Sequence, residues 1–327
     1  MITPAEAERI AGLAAAEWGA TARAPELVTI RENAVFRAEL PGGRVIALRL
    51  HRPGYQSRAG IGAELDWTTG LATLGLPVPE PVPTQAGALT WNAGPVIVSA
   101  VGWLEGEPVG RAGALLAGNR AAQAAGFHRI GRLLADLHRA TDALAMPATL
   151  PRPRWDRDGL LGDNPTWGRF WENPMFSAGD RGLIAEARSF AAARLDRIGT
   201  HAPAFGLIHA DVMRENILAG PDGRLSLIDF DDSGYGYRLY DLGTALVQSL
   251  EEPHLPHLAD ALLEGYAGAG GDVGEPGDLR LFTLLRCLAS AGWITTRAAP
   301  DDPRQVLYTD RVRRLATGVL GGHPGWP

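Results

Sequence analysis

The spacing of apolar residues changes after the first helix-like segment. Apolar residues recur at helical spacing between Ile10 and Trp18, which predicts a first helix that Gly19 ends. The short apolar runs that follow predict strands at Val35–Leu40, Arg44–Leu50 and Val96–Val101. Pro41-Gly42-Gly43 predicts a hairpin between the first two, and Ile61–Leu74 has a helical pattern. This region therefore predicts a small antiparallel sheet with one inserted helix.

After Gly106 the pattern becomes mainly helical. Long runs rich in alanine and leucine predict helices at Phe127–Ala140, Ile184–Ile198 and Leu281–Arg297. Short apolar runs predict strands at Phe205–His209 and Leu225–Phe230. We therefore predict an α+β fold with a β-rich N-terminal lobe (1–98), an inter-lobe connector (99–106) and a helical C-terminal lobe (107–327). The cleft between two such lobes is where a ligand site is expected.

Charge and composition narrow the function classes. A formal charge of −6 argues against a general nucleic-acid binder, which would have a basic surface. Cys287 is the only cysteine, so no intrachain disulfide forms and a reducing compartment is indicated. No secretory signal is recognised, and the longest apolar stretch, 95–104, is too short to span a bilayer. These features predict a cytoplasmic protein with no membrane or nucleic-acid partner.

The basic residues are all of one type. The chain has 31 lysine and arginine residues, and every one is arginine. A role that a lysine usually has in binding phosphate must therefore be filled by arginine or left vacant.

Two apolar runs end in residue types that phosphoryl transfer uses. His209 and Asp211 follow the first run, Asn216 lies five positions after Asp211, and Asp229 ends the second run. A carboxylate can orient and deprotonate an attacking hydroxyl, while carboxylate and amide oxygens suit Mg²⁺. Asp211 is therefore the candidate base, and Asn216 and Asp229 are the candidate Mg²⁺ ligands.

The motif His209-x-Asp211-x₄-Asn216, together with Ile228-Asp229-Phe230, resembles a known family. It is similar to the catalytic and metal-binding motifs of the aminoglycoside phosphotransferase/choline kinase family, which belongs to the protein-kinase-like superfamily. Tyr240-Asp241-Leu242-Gly243 and Leu137-His138 resemble further segments, so the resemblance covers residues 27–300. It implies a bilobal protein-kinase-like fold and an ATP- and Mg²⁺-dependent kinase in which His209 braces the catalytic loop.

The resemblance also implies a nucleotide site. Arg49 fills the position of the lysine that binds the α- and β-phosphates, Glu64 fills the position of its acidic partner, and Arg52 is an alternative to Arg49. Segment 32–36 resembles the phosphate-covering hairpin, and the connector could read adenine through its backbone. The candidates from these two segments are Asn33, Ser99 and Val101.

The acceptor site is expected in segment 151–174, which combines aromatic rings with carboxylates shortly before the catalytic strand. The alternative is that these rings form the core of the helical lobe. The candidate substrate residues are Asp156, Trp167, Trp171 and Asp231. The segment around Trp155 looks similar to bacterial stress-response kinases and type II homoserine kinases, whose acceptors are a protein hydroxyl and an amino-acid hydroxyl.

The sequence predicts an enzyme that moves the γ-phosphate of ATP to a hydroxyl of a small molecule. Two alternatives remain open: a protein Ser/Thr kinase of the stress-response type, and a nucleotide-binding pseudokinase that acts as a scaffold. No segment resembles the activation loop of a conventional protein kinase with its Ala-Pro-Glu end. Asp211, Asn216 and Asp229 argue against a scaffold.

Overall fold

The structure is a computed structural model, and it describes residues 2–19, 23–31, 33–144, 146–147, 149–299, 301–322 and 326. Position 32 of the predicted phosphate-covering hairpin lies outside this part of the chain. The chain forms two compact units. Unit 1 contains Met1–Glu107, Leu144–Arg152 and Gly220–Asp231, and unit 2 contains Pro108–Ala143, Pro153–Ala219 and Asp232–Pro327.

The composition of unit 1 differs from the predicted lobe boundaries. Two segments that were predicted to lie in the helical lobe, 144–152 and 220–231, belong to unit 1. Side-chain and backbone contacts explain the difference: Arg152 donates from Nη1 to the Gly60 carbonyl at 3.1 Å, and the Leu227 amide donates to the Pro77 carbonyl at 3.0 Å. Such contacts join distant parts of the chain, so local periodicity cannot reveal them.

Unit 1 is built on a five-stranded antiparallel sheet with the strand order β1-β2-β3-β5-β4. Its strands are β1 (Glu26–Ile30), β2 (Ala34–Glu39), β3 (Val45–Leu50), β4 (Thr90–Ala93) and β5 (Val96–Gly102). A shorter strand, β10 (Leu225–Leu227), follows, and the two-residue strand β6 (Glu107–Pro108) lies where the first segment of unit 1 ends and unit 2 begins. The helices are α1 (Pro4–Glu17), which Thr3 caps, and α2 (Arg58–Thr73), which Ser57 caps.

The core of unit 1 lies between α1 and one face of the sheet. Ile10 and Trp18 pack in the same buried cluster as Phe36, Leu48 and Val98. Alternate residues of β2 and β3 are buried, as expected for strands with one covered face. The hairpin predicted at residues 41–43 is confirmed, because β2 and β3 pair antiparallel around it.

Unit 2 is mainly helical. Its helices are α3 (Arg120–Ala143), α4 (Arg157–Leu161), α5 (Ala178–Ile198), α6 (Arg238–Val247), α7 (Leu255–Gly268), α8 (Asp278–Thr295) and α9 (Pro303–Leu320). Its strands are β7 (Arg154–Trp155), β8 (Phe205–Ile208), β9 (Ile217–Ala219) and β11 (Gly234–Tyr237), with 3₁₀ turns at Phe170–Glu172 and Arg214–Asn216. A small sheet has the order β7-β11-β8, in which β11 is antiparallel to β8 and parallel to β7.

The predicted fold class is confirmed, with an antiparallel N-terminal sheet and a helical C-terminal part. The strand predicted at Leu225–Phe230 is shorter, because it ends at Leu227 and Asp229 has a left-handed backbone. Helices α4, α6, α7 and α9 were not predicted. Within the described residues, no helix is long and apolar enough to cross a membrane.

Helices α3 and α7 approach each other closely at two glycines. A Cβ atom on Gly131 would lie 2.1 Å from the Leu262 carbonyl oxygen, and one on Gly265 would lie 2.0 Å from the His128 carbonyl oxygen. Real Cβ atoms do not come this near to backbone, so any larger residue would push the helices apart. This contact fixes α3, which carries a residue that supports the candidate site.

We expect Gly131→Ala to lower the free energy of unfolding by about 3 kcal/mol or more, because the methyl group meets backbone that cannot move aside. The matched control is Gly126→Ala on the same helix, where an added Cβ has no atom within 4 Å. That change should stabilise the protein by about 0.5–1 kcal/mol, since alanine favours the helix. Denaturant unfolding measures both changes, and equal effects would contradict the packing argument.

Candidate active site

Strand β8 delivers the first predicted motif in unit 2. It pairs antiparallel with β11 and ends at Ile208, directly before His209 and Asp211. Between these two residues, Ala210 has a φ of 65°. A non-glycine residue in this left-handed region carries a conformational cost of roughly 1 kcal/mol or more, so the surrounding structure must stabilise the turn.

Asp241, at the start of α6, supplies that stabilisation. Its carboxylate is fully buried and accepts the amide of Ala210 at 2.7 Å and the amide of His209 at 3.0 Å. His138 of α3 contacts the same carboxylate at 3.0 Å, and the hydroxyl of Tyr266 lies 2.8 Å from the other ring nitrogen of His138. Asp241 therefore holds the backbone that presents Asp211.

The surroundings of His138 and Asp241 favour a neutral imidazole beside an ionised carboxylate. Burial, and then the neighbouring Arg238, lower the pKa of His138 to about 4, against the pull of Asp241. His138 is thus neutral at pH 7, and it donates through Nε2 to Asp241 and accepts through Nδ1 from Tyr266. For Asp241 the burial cost is outweighed by the hydrogen bonds from His138 and His209, which lower the pKa of the carboxyl.

His209 also contributes to this local structure. Its Nδ1 accepts the amide of Asp211 at 3.2 Å, and its side chain is buried. This is a bracing contact of the kind that the family resemblance implies. The Asp211 carboxylate, in contrast, is 22% exposed.

Both oxygens of the Asp211 carboxylate have a donor. Nη2 of Arg286 donates to Oδ1 at 2.8 Å, and Nδ2 of Asn216 donates to Oδ2 at 2.9 Å. Nδ2 of Asn216 also donates to the Asp211 carbonyl at 2.9 Å. Because the amide nitrogen is used in this way, the amide oxygen of Asn216 is the atom that a cation could bind.

The loop from His209 to Asn216, named here the 209–216 loop, has a second anchor at Arg214. Its guanidinium is buried and donates to Ser249 Oγ and Glu252 Oε1, each at 2.8 Å. Its backbone amide donates to the side chain of Gln248 at 2.8 Å. These contacts fix both ends of the loop to α6 and the residues that follow it.

Unit 1 contains a separate cluster of charges around Arg49 of β3. Its guanidinium contacts Glu64 at 2.6 Å, Asp231 at 3.1 Å and Asp229 at 3.7 Å. Burial works against the charge of Arg49, but these three carboxylates raise its pKa above the usual range. Burial raises the pKa of Asp231, with Arg49 opposing the shift.

Arg152 and Asn33 hold the second predicted motif in place. Nη2 of Arg152 donates to the Phe230 carbonyl at 3.0 Å and to the Asp231 carbonyl at 2.6 Å, and Nη1 lies 3.5 Å from Glu64. Nδ2 of Asn33 donates to the Asp231 carboxylate at 2.8 Å. The turn that carries Asp229 is therefore tied to α2 and to Asn33, directly before β2.

Asp229 has the same unusual backbone as Ala210. Its φ is 65°, and within the described residues these are the two non-glycine positions with a left-handed backbone. The Asp229 side chain is 51% exposed, whereas the neighbouring Asp231 is buried. Strained backbone is concentrated at functional sites, and here it occurs within the two sequence motifs that predicted the chemistry.

Ser99 and Val101, the residues predicted to contact adenine, lie in strand β5. Both residues lie inside β5 and not in a connector, and Ser99 pairs with Arg49 on one side and with Thr90 on the other. Backbone groups in a strand with partners on both sides are used by the sheet. The Ser99 hydroxyl is also buried, 2.8 Å from Nε2 of His51.

The predicted acceptor residues lie in different surroundings. Asp156 caps α4 by accepting the Gly159 amide, and Trp171 lies under the guanidinium of Arg188. Trp167 is buried and stacks on Arg286, whose charge pairs with Asp211. Asp231 belongs to the Arg49 cluster. Of the four, Trp167 is the residue that shares a contact partner with Asp211.

Sequence reasoning missed several residues that build the site. They are His138, Arg152, Asp241, Tyr266 and Arg286. Two of them lay in segments that resembled the family, but without an assigned role. The sequence did contain an indication of Arg286, because it is the single charged residue inside the apolar run Leu281–Ser290.

Each of the two predicted Mg²⁺ ligands, taken by itself, offers an oxygen donor of the type that Mg²⁺ binds. Asn216 offers an amide oxygen and Asp229 a half-exposed carboxylate, and hard oxygen donors are what Mg²⁺ prefers. No group of three His, Cys, Asp or Glu side chains suited to a metal is found in the described part of the chain.

Known proteins provide an independent comparison. A family model described as the phosphotransferase enzyme family matches residues 28–281. An uncharacterized protein of Deinococcus radiodurans is 30% identical over 267 residues, which cover 79% of this chain and 72% of the relative.

Solved structures are also similar. A microcompartment-associated aminopropanol kinase has a TM-score of 0.84 and 27% identity, with coverage of 98% of this chain and 99% of the other. An amicoumacin kinase in complex with AMP-PNP, Ca²⁺ and Ami has a TM-score of 0.73 and 16% identity, with coverage of 97% and 93%. The second likeness concerns the fold alone.

The lowered pKa of His138 predicts an acid-sensitive fold. The unfolded chain binds a proton at this position below pH 6.5, whereas the folded chain binds it only below about pH 4. The contribution of neutral His138 to the free energy of unfolding is therefore fully present above pH 6.5 and is lost as the pH falls towards 4. His138→Asn, which cannot be protonated, should reduce the pH dependence of unfolding by about one proton in this window.

Unfolding free energies measured between pH 7 and pH 4 test this prediction. The control is His128→Asn, the same substitution at an exposed position on the same helix, and the effect of His138→Asn is read relative to it. An unchanged slope in the His138 variant would mean that the buried imidazole is already protonated in the folded protein.

Proposed function

Because the chain belongs to the phosphotransferase enzyme family, we propose that it transfers the γ-phosphoryl group of ATP to a hydroxyl of a small molecule. The family predicted from the motifs is thereby confirmed, and the chain is a phosphotransferase. The observation that carries the proposal is the Asp211 carboxylate, partly exposed at the end of β8 and held by a donor on each oxygen. This geometry suits a group that must orient a hydroxyl.

The proposed reaction assigns one step to Asp211. Each carboxylate oxygen accepts one hydrogen bond, which leaves a further lone pair for the acceptor hydroxyl. The hydroxyl oxygen forms a bond to the γ-phosphorus, the bond from that phosphorus to the ADP oxygen breaks, and the ADP oxygen keeps the electron pair. The hydroxyl proton passes to Asp211. Phosphoryl transfer needs little covalent participation by the protein beyond this positioning.

The nucleotide roles proposed for unit 1 rest on charge. Arg49 and Arg152 supply two positive charges, while Glu64, Asp229 and Asp231 supply up to three negative ones. A triphosphate alone would meet little net attraction there, so the cluster suits ATP that arrives with a divalent cation. When bound, Mg²⁺ would neutralise phosphate charge, and we propose Asn216 and Asp229 as its protein ligands.

We propose amino alcohols as the first acceptor class to test. The similar structure with the higher identity is an aminopropanol kinase, at 27% over nearly the whole chain. The negative formal charge of this chain is compatible with a cationic acceptor. No feature of the described residues favours a protein acceptor, and family membership argues against the scaffold alternative.

Paired alcohols separate the possibilities. Consumption of ATP is measured with 1-amino-2-propanol against 1,2-propanediol, ethanolamine against ethylene glycol, and casein as a generic protein, each with and without Mg²⁺. We expect Mg²⁺-dependent transfer to the amino alcohols and less to the diols. Equal transfer to each pair would remove the amine requirement, and transfer to casein alone would reverse the acceptor class.

Asp211→Asn should lower kcat by at least ~10²-fold, because the carboxamide cannot accept the hydroxyl proton. Binding of ATP, followed by thermal shift, should persist. The control is Asp310→Asn, an exposed position on α9 that should keep wild-type kcat. Near-normal turnover by the Asp211 variant would refute the base assignment.

Arg49→Ala should raise the KM for ATP by roughly 10- to 100-fold, the scale of a lost charged hydrogen bond. Arg49→Lys should recover only part of the loss, since one ammonium replaces a planar group that contacts Glu64 and Asp231 with different nitrogens. Arg52→Ala, with an exposed side chain, should leave KM unchanged. If Arg52→Ala shows the loss instead, the phosphate role moves to that residue.

A further inference from the structure

Arg286 is a buried charge in an apolar helix. It lies in the middle of α8, where its neighbours Leu284, Leu285, Cys287 and Leu288 are all buried, and only 4% of its own surface is exposed. A guanidinium in such a place is costly unless it is paired and hydrogen-bonded. Its partners therefore indicate why an arginine is present.

Two partners of Arg286 belong to the 209–216 loop. Nη2 donates to Asp211 Oδ1 at 2.8 Å, and Nη1 lies 3.4 Å from the Ala210 carbonyl. The guanidinium carbon is 4.3 Å from the centre of the Trp167 ring, which covers it as a cation–π contact. Arg286 is thus held by the Trp167 ring and by two groups of the loop, the Ala210 carbonyl and the carboxylate of the candidate base.

Other buried arginines of unit 2 are paired differently. Arg194 is bidentate to the buried Asp278, and Arg311 is bidentate to Glu251. The first pair joins α5 to α8, the second joins α9 to the turn between α6 and α7, and neither involves a residue of the candidate site. Arg286 instead uses one nitrogen on a carboxylate that is 22% exposed. Of these three arginines, Arg286 is therefore the one whose charge partner is the candidate base.

We propose that Arg286, held flat by Trp167, is the positioning residue of Asp211 and orients its carboxylate towards the acceptor hydroxyl. The proposal rests on the proposed function, because it gives Arg286 a role through the base assigned there. It also gives Trp167 a role other than acceptor binding: the ring fixes the guanidinium that fixes the carboxylate. Asn216 holds the second oxygen, so the carboxylate cannot rotate.

A positioning role predicts a loss in kcat and not in nucleotide binding. Arg286→Ala should lower kcat by about 10- to 100-fold with 1-amino-2-propanol as the acceptor, because a misdirected carboxylate still allows ATP to bind. KM for ATP should change by less than about threefold, as no phosphate contact is removed. The slow transfer to water, measured as ATP hydrolysis, should fall in parallel.

Chemical rescue separates positioning from a structural effect. Low millimolar guanidinium should restore part of the kcat of Arg286→Ala by entering the space beside Trp167. Arg286→Lys should recover less, since an ammonium does not stack as a planar guanidinium does. The matched control is Arg311→Ala, another buried arginine of unit 2, in which guanidinium should restore no activity.

Several outcomes would overturn the proposal. One is a folded Arg286→Ala with wild-type kcat, and another is a loss that appears in KM for ATP. A third is a loss that guanidinium restores no better than in Arg311→Ala. If Arg286→Ala does not fold, Arg286→Gln keeps most of the volume and carries the same kinetic test.

A stability cycle distinguishes failure of this proposal from failure of the proposed function. Melting temperatures are measured for Asp211→Asn, Arg286→Gln and the double variant. Non-additive shifts would support the contact even if the wild-type protein transfers phosphate to none of the alcohols and does not hydrolyse ATP, in which case the proposed function fails. Additive shifts with an active wild type would overturn the positioning role alone.

Discussion

The buried carboxylate of Asp241 supports the 209–216 loop. It binds two successive backbone amides, one of them from Ala210, whose left-handed backbone would otherwise be strained. A carboxylate that accepts several hydrogen bonds tolerates burial because they replace its water shell. His138 and Tyr266 extend the support to α3 and α7. The direction of Asp211 is therefore set by helix packing, including the close glycine contact of those two helices.

Buried charge is handled by the same rule in both units. In unit 1, Arg49 and Arg152 share Glu64 and the residues around Asp231. In unit 2, Arg214 of the 209–216 loop pairs with the buried Glu252. Removing one partner of such a pair lowers the free energy of unfolding by more than the intact pair contributes, because the other charge stays buried. These clusters make the geometry of each motif specific at some expense in stability.

The sequence predicted what is local and missed what is distant. The hairpin, the helices and the spacing of Asp211 and Asn216 depend on neighbours in the chain, and the fold class followed from them. Arg286 meets Asp211 across 75 positions, and no local pattern shows which loop a buried arginine contacts. The predicted strand 96–101 and the predicted connector 99–106 overlapped at Ser99, and the structure extends the strand to Gly102, because pairing with β3 and not local pattern sets where β5 ends.

The absence of lysine affects how each cluster is built. An ammonium is a compact point charge, whereas a guanidinium presents several donors in one plane. Arg49 contacts Glu64 through Nη1 and Asp231 through Nη2, and Arg152 divides its nitrogens between α2 and the turn after Asp229. One arginine thus connects two segments that a lysine would connect less rigidly. The side chains whose charge would meet phosphate, Arg49 and Arg152, are consequently also those that hold the turn carrying Asp229. A change in either arginine therefore alters both.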